Sequence, residues 1–377
     1  MPKKLLIISS DFTGHGHKSI TEALKEKLEI EEKISIHVVD GFSLGGSLLA
    51  KIGKSYGPIT RHTEFLWKAI FDFSAQKPSF INSLIRWKIE NNFVKLLDEI
   101  KPDIILTVHP NFNGSILDIL DKHGYKIPFI TLIADLISIS PLWADPRADY
   151  IISPTKEAKE ICIQYGVPEN NIKITGFPVR SRFYKKSESP SYLSNKDTSS
   201  PLECLLMGGG EGAGNMEKIA QTLLQNFDCH IKIVAGRNVT LKEKLEHSLL
   251  KEYSDRVTVL GFTDAIQELM FSSDIAFTRG SPNVMMESVA SNTPLVITGA
   301  LPGQEEGNPS FAEKYNLGVV CKNPVELKET INLLLQNNST RLKEIKNAQR
   351  MFQDPYVVDI IVSILLDVFE NEKEMAI

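Results

Sequence analysis

The chain has 377 residues, 42% hydrophobic and 24% charged, with a formal net charge of −5; that is enough for two globular domains and lacks the basic excess of a general nucleic-acid binder. Its four cysteines (Cys162, Cys204, Cys229, Cys321) are scattered without a CxxC pair, the pattern of reduced core thiols rather than of a disulfide framework or zinc site. No segment reaches the roughly 18 apolar residues of a membrane span, so any membrane contact is expected to be peripheral.

KKLLIIS, ISIHVVD, DIILTVH, FITLIAD and YIISP read as strands in the first half. Lysines before the first run imitate a signal peptide, but Ser9, Ser10 and Asp11 end the run too early for one. A polar stretch from Lys185 to Pro201, KKSESPSYLSNKDTSSP, has the composition of an exposed linker. ECLLMGG, HIKIVAG, VTVLG, DIAFTRG and PLVITG form a second strand set. Amphipathic segments such as ITEALKEKLE and PVELKETINLLLQ separate many of the strands. The alternation predicts an α/β chain with parallel sheets covered by helices. Two Rossmann-like domains are expected, over 1–184 and 201–349, with a linker over 185–200. VVDIIVSILLDVF, near the C-terminus, is interrupted by aspartates and reads as a docked helix.

In such sheets ligands bind where strands end and loops lead into helices. Asp11 to His17, His109, Asp135, Gly208 to Gly214 and Gly280 to Asn283 all follow predicted strands. In DFTGHGHKSITEAL, Gly14 and Gly16 permit a tight turn and close approach of a ligand. The helix that follows puts Ile20, Ala23, Leu24 and Leu28 on one face. Its N-terminus carries positive potential, which favours a neutral imidazole at His17, and a neutral imidazole can act as a general base. Metal binding by His15 and His17 lacks a further ligand cluster, and a backbone hydrogen bond is the plainer alternative.

LLMGGGEGAGNMEKIAQTL is a strand, a glycine-rich loop and a helix, without the GK[ST] of a P-loop. Gly209 and Gly210 are its candidate ligand-contacting positions. TRGSPNVMMESVASNTPLVITGALPGQEEGNPS then sets Arg279 and Ser281 before a helix N-terminus that suits a pyrophosphate. Glu287 on that helix can accept from a ribose diol. Gly303, Gln304 and Glu305 suit sugar hydroxyls.

GHGH, MGGGEGAG, AGRN, ESVASNTPLVI and PGQEEGN, in this order, resemble the monogalactosyldiacylglycerol synthase and processive diacylglycerol glucosyltransferase family. That family is related to the peptidoglycan lipid-intermediate N-acetylglucosaminyltransferase. The likeness runs from about Leu5 to about Val320, and GFPVRSRF at Gly176 to Phe183 resembles the end of the family's first domain. It implies a GT-B fold, with the two domains facing across a cleft. The implied reaction is inverting transfer of a hexose from a UDP-sugar to a lipid hydroxyl, diacylglycerol foremost, to make a membrane glycolipid. No metal or other cofactor is implied; the final helix, 350–377, would pack back on the first domain. His17 matches the family's base, and Gly16 beside it is a donor-binding candidate. Glu287 matches the nucleotide-ribose carboxylate, and Gln304 and Glu305 the donor-sugar contacts. Asp135 would assist at the catalytic site.

Two departures stand out. SPNV occupies 281–284 where the family has GPGT-like residues, and Ser140 stands where a histidine precedes Trp143. They leave open a degenerate sugar-nucleotide or lipid-binding protein without turnover, and the shared two-domain architecture leaves a UDP-sugar epimerase as a second alternative.

The segment from Gly41 to Gln76 mixes Leu, Phe, Tyr56 and Trp67 with Lys51, Lys54, Arg61 and Lys68. It reads either as a helical pair packed on the first domain or as an interfacial element meeting anionic lipid. The resemblance, in which this region serves the lipid acceptor, favours the membrane. The expected location is cytoplasmic, on the inner face of the cell membrane.

Overall fold

Unbroken apolar runs, buried on both faces, are the signature of parallel sheets, and two such sheets are present. The computed structural model describes residues 2–10, 16–31, 34–184, 200–208 and 215–375. In the first sheet β1 (Lys3–Ser9), β2 (Ile34–Asp40), β3 (Ile104–Thr107), β4 (Phe129–Leu132), β5 (Tyr150–Ser153) and β6 (Ile172–Ile174) lie in the order β2-β1-β3-β4-β5-β6. In the second, β7 (Leu202–Met207), β8 (Cys229–Val234), β9 (Val257–Leu260), β10 (Ile275–Arg279), β11 (Leu295–Gly299) and β12 (Gly318–Val320) lie in the order β12-β11-β10-β7-β8-β9. Every pairing is parallel. The sequence reading missed β6 and β12, three-residue edge strands too short to show a period.

The chain divides into two units. One comprises Met1–Arg180, Pro302–Gln304 and Pro355–Ile377, and the other Ser181–Leu301 and Glu305–Asp354. In the first, Leu5 to Ile8 are fully buried beneath Ile20, Ala23, Leu24 and Leu28 of the helix Gly16–Leu28. The helix Val357–Met375 lies alongside, with Lys27 Nζ 2.7 Å from Asp359 Oδ1. Gly176, at φ +97°, sits so close to Val357 that a Cβ would come within 2.7 Å of its Cγ2. In the second unit Leu206, Leu223, Ile231, Ile233, Phe277 and Ile331 share one core with Cys204 and Cys229. All four cysteines are free and buried.

Sheet order reverses direction at β1/β3 and at β7/β10, the places where open α/β sheets bind ligands. Between β2 and β3 the chain runs through Gly41–Leu44, Gly46–His62, Glu64–Gln76 and Pro78–Ile100. The expected helical pair is thus three helices and a fourth beyond. Gly46, at φ +71°, makes the first break, and Thr63, non-helical at φ −139°, makes the second.

Candidate functional site

His17 is the second residue of the helix Gly16–Leu28 and is 92% buried, being 8% exposed. Its Nδ1 shares a short hydrogen bond with the carbonyl oxygen of Val108, at the end of β3. A carbonyl only accepts, so Nδ1 carries the proton and Nε2 keeps the lone pair. Thr21 Oγ1 donates to Ser9 Oγ at 3.0 Å, fastening the first turn of the helix to the strand before it. Burial lowers the His17 pKa from 6.5 to about 4, and the Val108 bond offsets this in part. The sequence argument credited the helix dipole; desolvation is the larger cause.

His109 stacks beside it, with ring centroids 4.5 Å apart. The Asn111 amide donates to His109 Nδ1 at 3.3 Å, so the His109 proton sits on Nε2. Burial, then the neighbouring His17, push its pKa well below 6.5. The pair is therefore neutral at pH 7, with opposite tautomers fixed by the backbone.

Asp135, 6% exposed, accepts from Trp143 Nε1 at 2.7 Å, and the Trp143 ring lies 6.3 Å from that of His17. The carboxylate is thus an oriented acceptor within the histidine cluster. Asn113 donates to the Leu142 carbonyl at 3.0 Å and accepts from Thr107, tying the Trp143 turn to β3. Ser140 Oγ caps that turn by accepting from Leu142 N at 3.4 Å, so serine has a local structural role at this departure from the family pattern. The segment Pro302–Gln304 groups with this unit rather than with the second one, where the sequence placed it. Gln304 Nε2 donates to Asp135 Oδ1 at 3.5 Å, and Tyr56 Oη donates to Gln304 Oε1 at 3.4 Å. Gly303, at φ +82°, makes the turn that a side-chain-bearing residue would resist.

In the second unit, Arg279 ends β10 and Ser281 precedes the helix Pro282–Ala290. Proline takes the first helical position, and the amides of the first turn, which lack intrahelical partners, give that end positive potential. Glu287 is 7% exposed on this helix. Glu305 Oε2 accepts from Leu301 N at 2.7 Å and lies 3.7 Å from Arg279 Nη2. Glu305 therefore braces its own loop. Gly209, Gly210 and His15 lie outside the described residues. Phe262, which the sequence reading did not single out, follows β9, is 51% exposed, and has the Arg237 guanidinium 5.3 Å from its ring centroid. A single exposed aromatic after a strand carries no motif.

Lys51 and Lys54 are exposed on Gly46–His62, while Tyr56 and Trp67 meet edge to face at 4.9 Å. The backbone of Arg61 continues that helix; its side chain lies outside the described part. The helix Glu64–Gln76 buries none of its residues. It exposes Phe65, Leu66, Ile70 and Phe73, and Pro78–Ile100 adds Phe80, Leu84 and Trp87. The apolar face thus continues past Gln76, where the sequence reading stopped. Among the described residues no helix is long and apolar enough to cross a membrane.

The histidine pair makes stability depend on pH. Between about pH 4 and 6.5 the unfolded chain binds a proton at residue 17 that the folded chain refuses. Stability is then complete above 6.5 and falls as pH drops toward 4, by roughly 3 kcal/mol for His17; His109 acts in the same direction. Denaturation midpoints from pH 7.5 to 4.5 should decline in the parent and decline less in His17→Gln. A slope unchanged by the substitution would show that the imidazole is not held neutral.

A family profile described as monogalactosyldiacylglycerol (MGDG) synthase matches residues 17–179, and one described as glycosyl transferases group 1 matches residues 214–337. The chain is 29% identical over 390 residues to monogalactosyldiacylglycerol synthase 2, chloroplastic, of Arabidopsis thaliana, covering 96% of this chain and 80% of the relative. It is 28% identical over 382 residues to synthase 3 of the same plant, covering 96% and 81%. Among solved structures it resembles MurG of Acinetobacter baumannii (TM-score 0.64, 13% identity, 97% of this chain and 100% of that one). It also resembles UDP-GlcNAc 2-epimerase of Neisseria meningitidis bound to UDP-GlcNAc (TM-score 0.63, 13% identity, 97% and 100%). At that identity these structures show the fold alone, and it is GT-B.

Proposed function

We propose that the chain is a glycosyltransferase of the monogalactosyldiacylglycerol synthase family and that it transfers a hexose from a UDP-sugar to the free hydroxyl of diacylglycerol, with inversion. The observation that carries the reading is the tautomer lock on His17: Nδ1–H is spent on Val108, so Nε2 is the base. Nε2 takes the acceptor proton as the acceptor oxygen attacks the anomeric carbon. UDP departs from the opposite face, so the new bond has inverted configuration. The first turn of Pro282–Ala290 and the Arg279 guanidinium stabilise the leaving diphosphate. Phe262 offers the uracil a stacking face. Asp135, held by Trp143, orients the acceptor side, and the exposed apolar side chains of Glu64–Gln76 and Pro78–Ile100 receive the membrane. On this reading the enzyme works at the inner face of the cell membrane, which the exposed Phe65, Leu66, Ile70 and Phe73 support.

The relatives' names make galactose the first sugar to test. UDP release from UDP-galactose, UDP-glucose and UDP-N-acetylglucosamine should be measured with diacylglycerol vesicles and without acceptor. Acceptor-dependent release supports transfer. Interconversion of UDP-sugars without acceptor would instead support the epimerase reading, which has only the fold in its favour.

Glu287→Ala should weaken UDP binding by about 1.5–3 kcal/mol, the contribution of hydrogen bonds to a charged acceptor. Gln304→Ala should impair sugar use with UDP affinity less affected. Calorimetry with UDP and with UDP-sugars separates the two. Unchanged nucleotide and sugar handling in both variants would remove the donor-site assignment.

A further inference from the structure

The turn after β10 is tethered at two points to the loop that carries PGQEEGN. Asn308, fully buried, donates from Nδ2 to the carbonyl oxygen of Gly280 at 2.7 Å. The Gly280 amide in turn donates to the Gly299 carbonyl at 2.8 Å, so both backbone groups of this residue are held. The second tether is Arg279 to Glu305, at 3.7 Å, between side chains 13% and 12% exposed. The β10/β11 register shifts between Thr278 and Arg279, and such irregularities re-aim side chains. Asn308 N also bonds the Glu305 carbonyl at 3.0 Å, joining the two tethers.

The Asn308 amide shows what this arrangement selects. Its Oδ1 is buried without a partner, an unfavourable state for a polar atom. Packing alone would be served better by an apolar side chain of similar size. What asparagine supplies here is the N–H to Gly280, whose next residue precedes the helix Pro282–Ala290.

We infer that Asn308 is the positioning residue that fixes the sugar-recognising loop against the diphosphate turn and so sets which hexose the donor site accepts. The inference rests on the donor-site reading above. UDP alone needs the turn and the helix end; the sugar needs the turn and the loop in fixed register. Loss of the Asn308 tether therefore acts on sugar choice more than on nucleotide affinity.

The test compares the parent with Asn308→Leu, similar in volume but without a donor, and Asn308→Asp. Competition between UDP-galactose and UDP-glucose gives a kcat/KM ratio that is independent of the folded fraction. Calorimetry gives the UDP Kd. In Asn308→Leu the sugar preference should fall about tenfold or more, the scale of specificity terms, while the UDP Kd stays within about threefold. In Asn308→Asp the preference should be retained at low pH, where the protonated carboxyl still donates, and lost as pH rises; burial raises that carboxyl pKa. If the leucine variant does not fold, the aspartate variant's pH profile decides. A parent that binds UDP but shows no sugar preference, or variants with the parental ratio at every pH, overturn this inference alone. A parent that binds no UDP overturns the donor-site reading and this inference with it.

Discussion

His17→Ala should lower turnover by about 10²–10⁴-fold, the usual contribution of a general base, and leave UDP binding and folding intact. Nucleotide affinity should survive because Arg279, Ser281 and Glu287 belong to the other unit. His15→Asn should lose far less, since the base assignment rests on His17 alone. The pH profile sharpens the expectation. A base with a pKa of about 4 is neutral from pH 5 upward. The rate should therefore hold down to about pH 5 and fall below it, rather than near 6.5. Because burial sets the shift, the limb should be insensitive to ionic strength. Near-parental turnover by a folded His17→Ala enzyme would falsify the base assignment. A parallel loss of UDP affinity would make His17 a donor-binding or structural residue instead.

The strands around the site were readable because they are unbroken apolar runs: LLII in β1 is wholly buried, and its end at Ser9 marked the loop that matters. The helix of His17 was readable from its period, since Ile20, Ala23, Leu24 and Leu28 are the apolar residues it buries. The bond from His17 to Val108 was not, because the partner is a backbone carbonyl 91 positions away and no side-chain pattern reports it. Asn113 and Asn308 escaped for the same reason: each uses its amide to hold a remote carbonyl. Glu305 was legible as a motif residue but its local partner was not: one carboxylate oxygen accepts from the Leu301 amide four residues earlier. The departure at Ser140 left the function open in sequence, and in structure its hydroxyl caps the Trp143 turn.

The helices between β2 and β3 present the second large effect. Phe65 is 87% exposed and Trp87 is 70% exposed, on two successive helices that also expose Leu66, Ile70, Phe73, Phe80 and Leu84. Exposed apolar side chains on adjoining helices are a feature of interaction surfaces, and exposed Lys51 and Lys54 would add attraction to an anionic bilayer. Replacing Lys51, Lys54 and Arg61 by Ser should weaken binding to anionic vesicles by roughly 1 kcal/mol for each residue near the surface, about two orders of magnitude together. That loss should fade in neutral vesicles and at high salt. Phe65→Ser with Trp87→Ser should weaken binding to both vesicle types, by up to ~1.5–3 kcal/mol for each ring fully withdrawn from water, and this loss should persist in salt. Both variants should keep parental turnover on a dispersed short-chain diacylglycerol, because neither touches the His17 cluster. Vesicle sedimentation across a salt series separates the two components. If the serine-for-basic variant binds anionic vesicles as the parent does at low salt, the electrostatic part is wrong. If the aromatic variant keeps full activity on vesicle-borne acceptor, this face does not deliver the lipid.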